Sequence, residues 1–338
     1  MDSHQYHRTD AFPLENGASL PEFHLAYTTY GTLNATRNNV VWVCHALTAN
    51  AEVSDWWEGL FGAGKLFSPE KDFIVCANML GSCYGSTHAL STNPETGTPY
   101  FHEFPLLTNR DIVRAFDALR QHLGIDRIKV VIGGSMGGQQ LLEWNIMQPD
   151  VFEYAIPMAT NAQHSPWGIA FNESQRMAIA ADQSWKEASP NAGMEGMKAA
   201  RSVALLSYRN YDTYHNSQQE KSGQQPIDRF RASSYQQYQG QKLADRFNAF
   251  SYWTLSKAMD SQDVGRGRGS KQEALANIQA KTLVISISSD LLFPPSEQAF
   301  LAGHIPHATL ATIDSFYGHD GFLLEYKQME RAISRFLS

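Results

Sequence analysis

The sequence predicts an α/β fold: a mostly parallel sheet flanked by helices, with a large helical insertion before its last strands. Three observations predict it. Short runs rich in β-branched residues recur through the first half and return near the end. A segment of helical period lies between two of them. Roughly a hundred residues further on carry no strong strand signal.

The strand runs are Val40–Cys44 (VVWVC), Phe73–Ala77 (FIVCA), Lys129–Ile132 (KVVI) and Thr282–Ile287 (TLVISI). A strand with one wet face alternates apolar and polar residues. Runs that are apolar throughout read as strands covered on both faces, as in a parallel sheet between helices. Asp111–Leu123 places Ile112, Val113, Phe116, Leu119 and Leu123 on one helical face, and Gly124 ends it. From about Trp167 to Arg266, Ala199–Tyr208 and Tyr252–Met259 read as helices, and Gln218–Gln225 (QQEKSGQQ) reads as a polar loop. Gly265–Ser270 (GRGRGS) reads as a flexible, locally basic, hinge-like stretch, and contact with a phosphate is its less favoured use. The expected organisation is a core of residues 1–166 and 267–338 with residues 167–266 inserted as a helical lid.

Composition narrows the function classes. The chain has 338 residues, 43% hydrophobic and 18% charged, enough to bury a core and too little charge for a disordered chain. Lys plus Arg is 27 and Asp plus Glu is 34, a net charge of −7, which argues against a protein that coats nucleic acid. Cys44, Cys76 and Cys83 cannot all pair with one another, so a reducing cytoplasm is expected. The opening residues lack the basic head and apolar run of a secretion signal. No stretch approaches the ~18 apolar residues of a membrane span. Histidines and cysteines do not cluster at metal-ligand spacing, so no metal is expected.

The chemistry lies in Val130–Gly138, VVIGGSMGG. Gly133, Ser135 and Gly137 form G-x-S-x-G, fed by a β-branched run and followed by the helix-compatible Gln139–Ile146. A serine on a tight strand-to-helix turn, flanked by glycines that tolerate positive φ, is a nucleophile elbow. Serine needs a base, and the base an orienting acid, which follow in the chain order Ser, acid, His. Asp290 lies just past the strand TLVISI, and His319 sits in SFYGHDGFL before the last helix. Both fit that order. The oxyanion requires two backbone amides: Met136, directly after the nucleophile, and one from the loop Cys44–Asn50 (CHALTAN), expected to be Leu47. Cys44 and His45 read as structural. Trp144 reads as core, while Trp56 and Trp57 can either line a pocket or fill the core.

Eight segments, taken in order, resemble the homoserine O-acetyltransferase family, a branch of the α/β-hydrolase fold. They are Tyr27–Asn34 (YTTYGTLN), Cys44–Thr48 (CHALT), the pair Trp56–Trp57, Asn78–Thr87 (NMLGSCYGST), Asn93–Tyr100 (NPETGTPY), Gly133–Gly138 (GGSMGG), Tyr235–Gly240 (YQQYQG) and Gly318–Leu323 (GHDGFL). The resemblance implies ping-pong acyl transfer from acetyl-CoA, or another acyl-CoA, to an amino-acid hydroxyl, with no bound cofactor. It also implies a homodimer formed through the lid. Carried over by position, Ser135, Asp290 and His319 are the triad, Arg201 the ligand of the substrate carboxylate and Asp320 a substrate-binding carboxylate. A guanidinium can grip a carboxylate with two hydrogen bonds, and a carboxylate can pair with an ammonium. Arg176 also falls in a family-like segment but is not placed in the site.

The sequence departs from the family pattern at Ala49-Asn50, His88-Ala89, Asn248 and Phe250. These positions leave open serine as acceptor and succinyl as acyl group. A serine esterase is the alternative outside transferases: it shares the triad but has no need of Arg201 and Asp320 together.

Overall fold

The computed structural model describes residues 1–221 and 227–338. An eight-stranded sheet is built from β1 (Asp2–Arg8), β2 (Phe23–Tyr30), β3 (Val40–Cys44), β4 (Phe73–Ala77), β5 (Ile128–Gly134), β6 (Phe152–Met158), β7 (Lys281–Ile287) and β8 (Ala308–Ile313). Its spatial order is β1-β2-β4-β3-β5-β6-β7-β8. β1 and β2 pair antiparallel with their neighbours, and the other strands run parallel. The expected strand runs all fall in this sheet.

Four strands escape the apolar-run criterion. β1 is an exposed polar edge and β8 a half-exposed edge. β2 includes polar residues, and β6 carries Pro157, which lacks a ladder N–H.

Alternation across the sheet divides the core. Trp42, Val75 and Val131 pack on one face, while Val41, Val43, Ile74, Val130 and Ile132 pack on the other. On the first face Trp42 and Trp144 meet edge-to-face at 5.0 Å, and the Trp144 indole donates to Asp117 Oδ1. Trp144 is thus core, as expected.

Helix α1 (Asn109–His122) opens on a capping box in which Thr108 Oγ1 accepts from the Asp111 amide and the Asp111 carboxylate accepts from the Thr108 amide. Gly124 follows its end at φ +62, the left-handed conformation that glycine tolerates at a helix terminus. Helix α2 (Met136–Met147) leaves β5 directly.

Between β6 and β7 the main elements are helical: α3 (Pro166–Ala180), α4 (Met194–Tyr208), α5 (Tyr211–Gln218), α6 (Arg231–Ala244) and α7 (Ala249–Asp260). Gln218 closes α5, while residues 222–225 of the expected polar loop lie outside the described residues. The chain enters and leaves this region through a hydrogen-bonded neck, where the His164 amide donates to Gln262 O and the Val264 amide to Ala162 O.

The hinge-like reading of GRGRGS is corrected. Arg266 pairs with Glu15, and Arg268 with the buried Glu143, so both arginines clamp the base of the insertion to the core. A buried carboxylate requires such partners, and Arg110 supplies Glu143 with a second. After β7 come α8 (Pro295–His304) and, after β8, α9 (Tyr326–Leu337).

Candidate active site

The register of the central strands assembles the site. Cys44, the last residue of β3, pairs with Gly133 of β5, so the loop after β3 lies against the turn after β5. Ile287 of β7 pairs with Ile313 of β8, so the segments carrying Asp290 and His319 leave the sheet side by side.

Ser135 sits at φ +58 and ψ −126, a conformation that side-chain-bearing residues rarely adopt. The turn is held because its amide donates to Met158 O, and its carbonyl accepts from Thr160 Oγ1 at 2.9 Å. Glycines are required around it. A Cβ on Gly137 would lie 2.0 Å from Cys44 O, and one on Gly134 would lie 2.4 Å from the Phe322 ring.

Asp290 and His319 are buried, and His319 Nδ1 lies 2.6 Å from Asp290 Oδ2. Asp290 Oδ1 accepts from the amides of Leu292 and Phe293 at 2.8 and 2.9 Å. The carboxylate is thereby fixed, so the imidazole donates from Nδ1 and keeps Nε2 as the basic nitrogen. Phe293 stacks on the ring, and Tyr208 and Phe322 pack around it. Among the described residues Nε2 has no protein hydrogen-bond partner.

Leu47 lines one cavity with Ser135, and Met136 follows Ser135 in the chain; neither amide has a backbone acceptor among the described residues. The helix start at Met136 adds the positive end of the α2 dipole. His45 braces this loop from beneath: Nδ1 bonds Ala46 O at 2.9 Å, and Nε2 accepts from the Met79 amide at 3.3 Å. Burial pushes His45 down to about 4, so the ring is neutral, as both bonds require. Burial pushes the Cys44 thiol up, leaving it inert.

A cavity of about 600 Å³ opens above these groups. Leu47, Ser135 and His319 line it together with Arg201, Tyr208 and Asp320. Arg201, on α4, lies over the Tyr208 ring at 5.3 Å and has no ion pair among the described residues. Asp320 is not free: its Oδ2 pairs with Arg209 Nη1 at 2.7 Å, leaving Oδ1 for a further donor. Arg176, by contrast, is buried outside the cavity and bonds Asp260, Glu173 and Ser256, tying α3 to α7.

The tryptophan pair splits, with Trp56 at the cavity and Trp57 in the core, its indole donating to Phe322 O. The cavity also includes Asp55, Tyr84, Lys242 and Arg246, to which sequence reading gave no role. The only signal for them was their place inside or beside family-like segments.

Residues 39–326 match the alpha/beta hydrolase fold family. A homoserine O-acetyltransferase of Cyclobacterium marinum is 51% identical over 336 residues, covering 99% of this chain and 95% of its own. The chain belongs to the homoserine O-acetyltransferase family. A second family relative, from Chlorobaculum parvum, is 46% identical over 332 residues, 97% of this chain and 92% of its own. The crystal structure of the homoserine O-acetyltransferase from Bacillus anthracis superposes with a TM-score of 0.91 at 25% identity, covering 100% of this chain and 97% of that one. The acetyl esterase MekB reaches a TM-score of 0.87 at 24% identity, over 100% and 96% of the two chains. Backbone alone therefore does not separate this family from esterases. Two of the departures from its pattern have local uses: Asn248 caps α7, accepting from the Ser251 amide, and Phe250 packs on His102 and Trp185.

Among the described residues no cluster of three or more His, Cys, Asp or Glu could hold a metal ion, and no helix is long and apolar enough to cross a membrane.

Proposed function

We propose that the chain transfers an acetyl group from acetyl-CoA to the hydroxyl of L-homoserine by a ping-pong mechanism, giving O-acetyl-L-homoserine for methionine biosynthesis. The observation that carries this reading is Arg201, a guanidinium without an ion pair among the described residues, in the same cavity as Ser135 and His319. An esterase for neutral esters has no use for it, whereas homoserine brings a carboxylate.

His319 Nε2 takes the proton from Ser135 Oγ as the oxygen attacks the thioester carbonyl. The amides of Leu47 and Met136 hold the tetrahedral oxyanion, each such donor contributing about 3 kcal/mol to lowering the barrier. The intermediate collapses, breaking the C–S bond, and the imidazolium returns its proton to the departing thiolate. CoA leaves and acetyl-Ser135 remains. Homoserine then binds with its carboxylate on Arg201 and its ammonium on Asp320 Oδ1. His319 deprotonates its hydroxyl, which attacks the acetyl carbonyl, and Ser135 is protonated as the ester departs. Water loses the competition because the acceptor is held in place, an advantage that can reach ~7–11 kcal/mol. We assign the cover over the cavity to the helical insertion.

The insertion is also where a homodimer would form. Met177, Leu206, Tyr211 and Tyr238 expose apolar surface on its helices. A monomer mass in solution at micromolar concentration would remove that assignment. The three cysteines are free, which suits the reducing cytoplasm where acetyl-CoA is made available.

The deciding experiment measures CoA release from acetyl-CoA and succinyl-CoA against L-homoserine, L-serine and no acceptor, with Ser135→Ala as the blank. Release from acetyl-CoA that depends on homoserine is expected. Equal release without acceptor means hydrolysis and sinks the transferase reading. Release that depends on serine moves the assignment to another acceptor.

A further inference from the structure

We propose that Lys242 and Arg246 form an anion subsite at the rim of the active cavity, and that it takes the phosphate end of the acyl-CoA donor. The proposal rests on the transferase reading and assigns residues to the donor, whose phosphates no group described so far contacts.

The charge balance of the cavity points there. On a chain of net charge −7, one cavity gathers Arg201, Lys242 and Arg246. Of its two carboxylates, Asp320 is neutralised by Arg209, and only Asp55 has no ion pair among the described residues. The reaction brings two anionic groups to this cavity. The acceptor carboxylate must lie near Ser135, and Arg201 serves it. The donor phosphates lie at the far end of a long uncharged arm from the thioester and must lie outward.

Lys242 and Arg246 are the exposed cations of the cavity, whereas Arg201 is only partly exposed. A phosphate bound at the rim keeps much of its water and avoids the cost of a buried charge. Asp245, between them in the chain, forms no ion pair with either among the described residues; its carboxylate accepts from Gln241 Nε2 at 2.6 Å.

The two cations differ in how they are held. Lys242 lies in the last turn of α6 and has no ion pair among the described residues. Arg246 is fixed: Nη1 donates to Thr48 O at 2.6 Å and also bonds the Tyr84 hydroxyl. Thr48 follows Leu47, so Arg246 ties the rim to the oxyanion loop as well. The other basic stretch, GRGRGS, does not compete, because Arg266 and Arg268 are taken by Glu15 and Glu143.

Lys242 carries the test, since truncating Arg246 also loosens the oxyanion loop. Steady-state kinetics would compare wild type and Lys242→Ala with acetyl-CoA, with S-acetylpantetheine, which has the same thioester and arm but no phosphates, and with succinyl-CoA. Lys242→Ala is expected to raise KM for acetyl-CoA about three- to tenfold. The homoserine KM and the kcat/KM for S-acetylpantetheine should stay unchanged. Added salt should lower the wild-type kcat/KM for acetyl-CoA more steeply than that of the variant.

Equal losses with acetyl-CoA and S-acetylpantetheine would mean a structural role and overturn the proposal. So would no loss with either, or a loss confined to succinyl-CoA, whose anion is at the acyl end. Wild-type protein that transfers the acetyl group of acetyl-CoA to no amino-acid acceptor fails the transferase reading itself. That failure takes the subsite with it and is visible before any variant is made.

Discussion

The carboxyl edge of the sheet and the helical insertion face each other across one cavity, but they hold their functional groups by different means. At the sheet edge the backbone does the holding. Ser135 is fixed by a positive-φ turn whose glycines admit Cys44 O and Phe322, and Asp290 is gripped by the amides of Leu292 and Phe293. In the insertion, side-chain partners decide. Arg176 and Arg201 both lie on insertion helices. Arg176 is buried and pairs with Asp260 and Glu173, whereas Arg201 lies over an aromatic face, lines the cavity and has no ion pair among the described residues. In the mechanism we propose, the edge serves acyl transfer to and from serine, and the insertion selects what is acylated. The two regions also meet directly, since a Cβ on Gly318 would lie 2.9 Å from Tyr208 O at the end of α4.

The sharpest way to break the edge is Asp290→Asn. Asparagine keeps an oxygen for the Leu292 and Phe293 amides but presents an N–H to His319 Nδ1, forcing the wrong tautomer. We expect kcat for CoA release to fall about 10⁴-fold. A loss under tenfold would show that Asp290 does not orient the base.

A pH titration of stability tests both regions at once. His45 lies beneath the oxyanion loop and His164 at the neck of the insertion, and burial pushes each down to about 4. The unfolded chain binds these protons near pH 6.5, before the folded one. Stability is therefore full above that pH and is lost as pH falls through 6.5 toward 4. Each histidine accounts for about 3 kcal/mol by pH 4. Denaturation midpoints should drop between pH 7 and 4.5, and less steeply in His164→Gln. Equal midpoints at the two pH values would contradict the buried neutral state.

The smaller effect belongs to the insertion. Arg201→Ala is expected to raise the homoserine KM about 10- to 100-fold, the loss of a charge-assisted pair. The single-turnover release of one equivalent of CoA without acceptor should survive. If that burst falls by the same factor, Arg201 acts on acylation and the division between the two regions fails.

Much of the edge was legible in the sequence because its requirements are local. VVIGGSMGG specifies a strand, a turn that needs glycine, and a helix within nine residues. The apolar runs of β3, β4, β5 and β7 mark strands buried on both faces. β1, β2, β6 and β8 were not legible: a polar edge, mixed polarity, Pro157 and a half-exposed edge hide their pairing, which comes from neighbours distant in the chain.

The insertion was legible as helical, and its chemistry only at Arg201, through the family resemblance. GRGRGS reads as a mobile basic loop, and only the approach of Glu15 and Glu143 makes it a clamp. Asp320 reads as an open carboxylate, and only the fold brings Arg209 to its Oδ2. Sequence alone determined the elbow, the order of serine, acid and base, and the alternation of buried strands, because backbone sterics and apolar period are properties of adjacent residues. Tertiary structure decided which charges are neutralised and which remain free to meet a substrate, because a charge's partner is set by proximity in space.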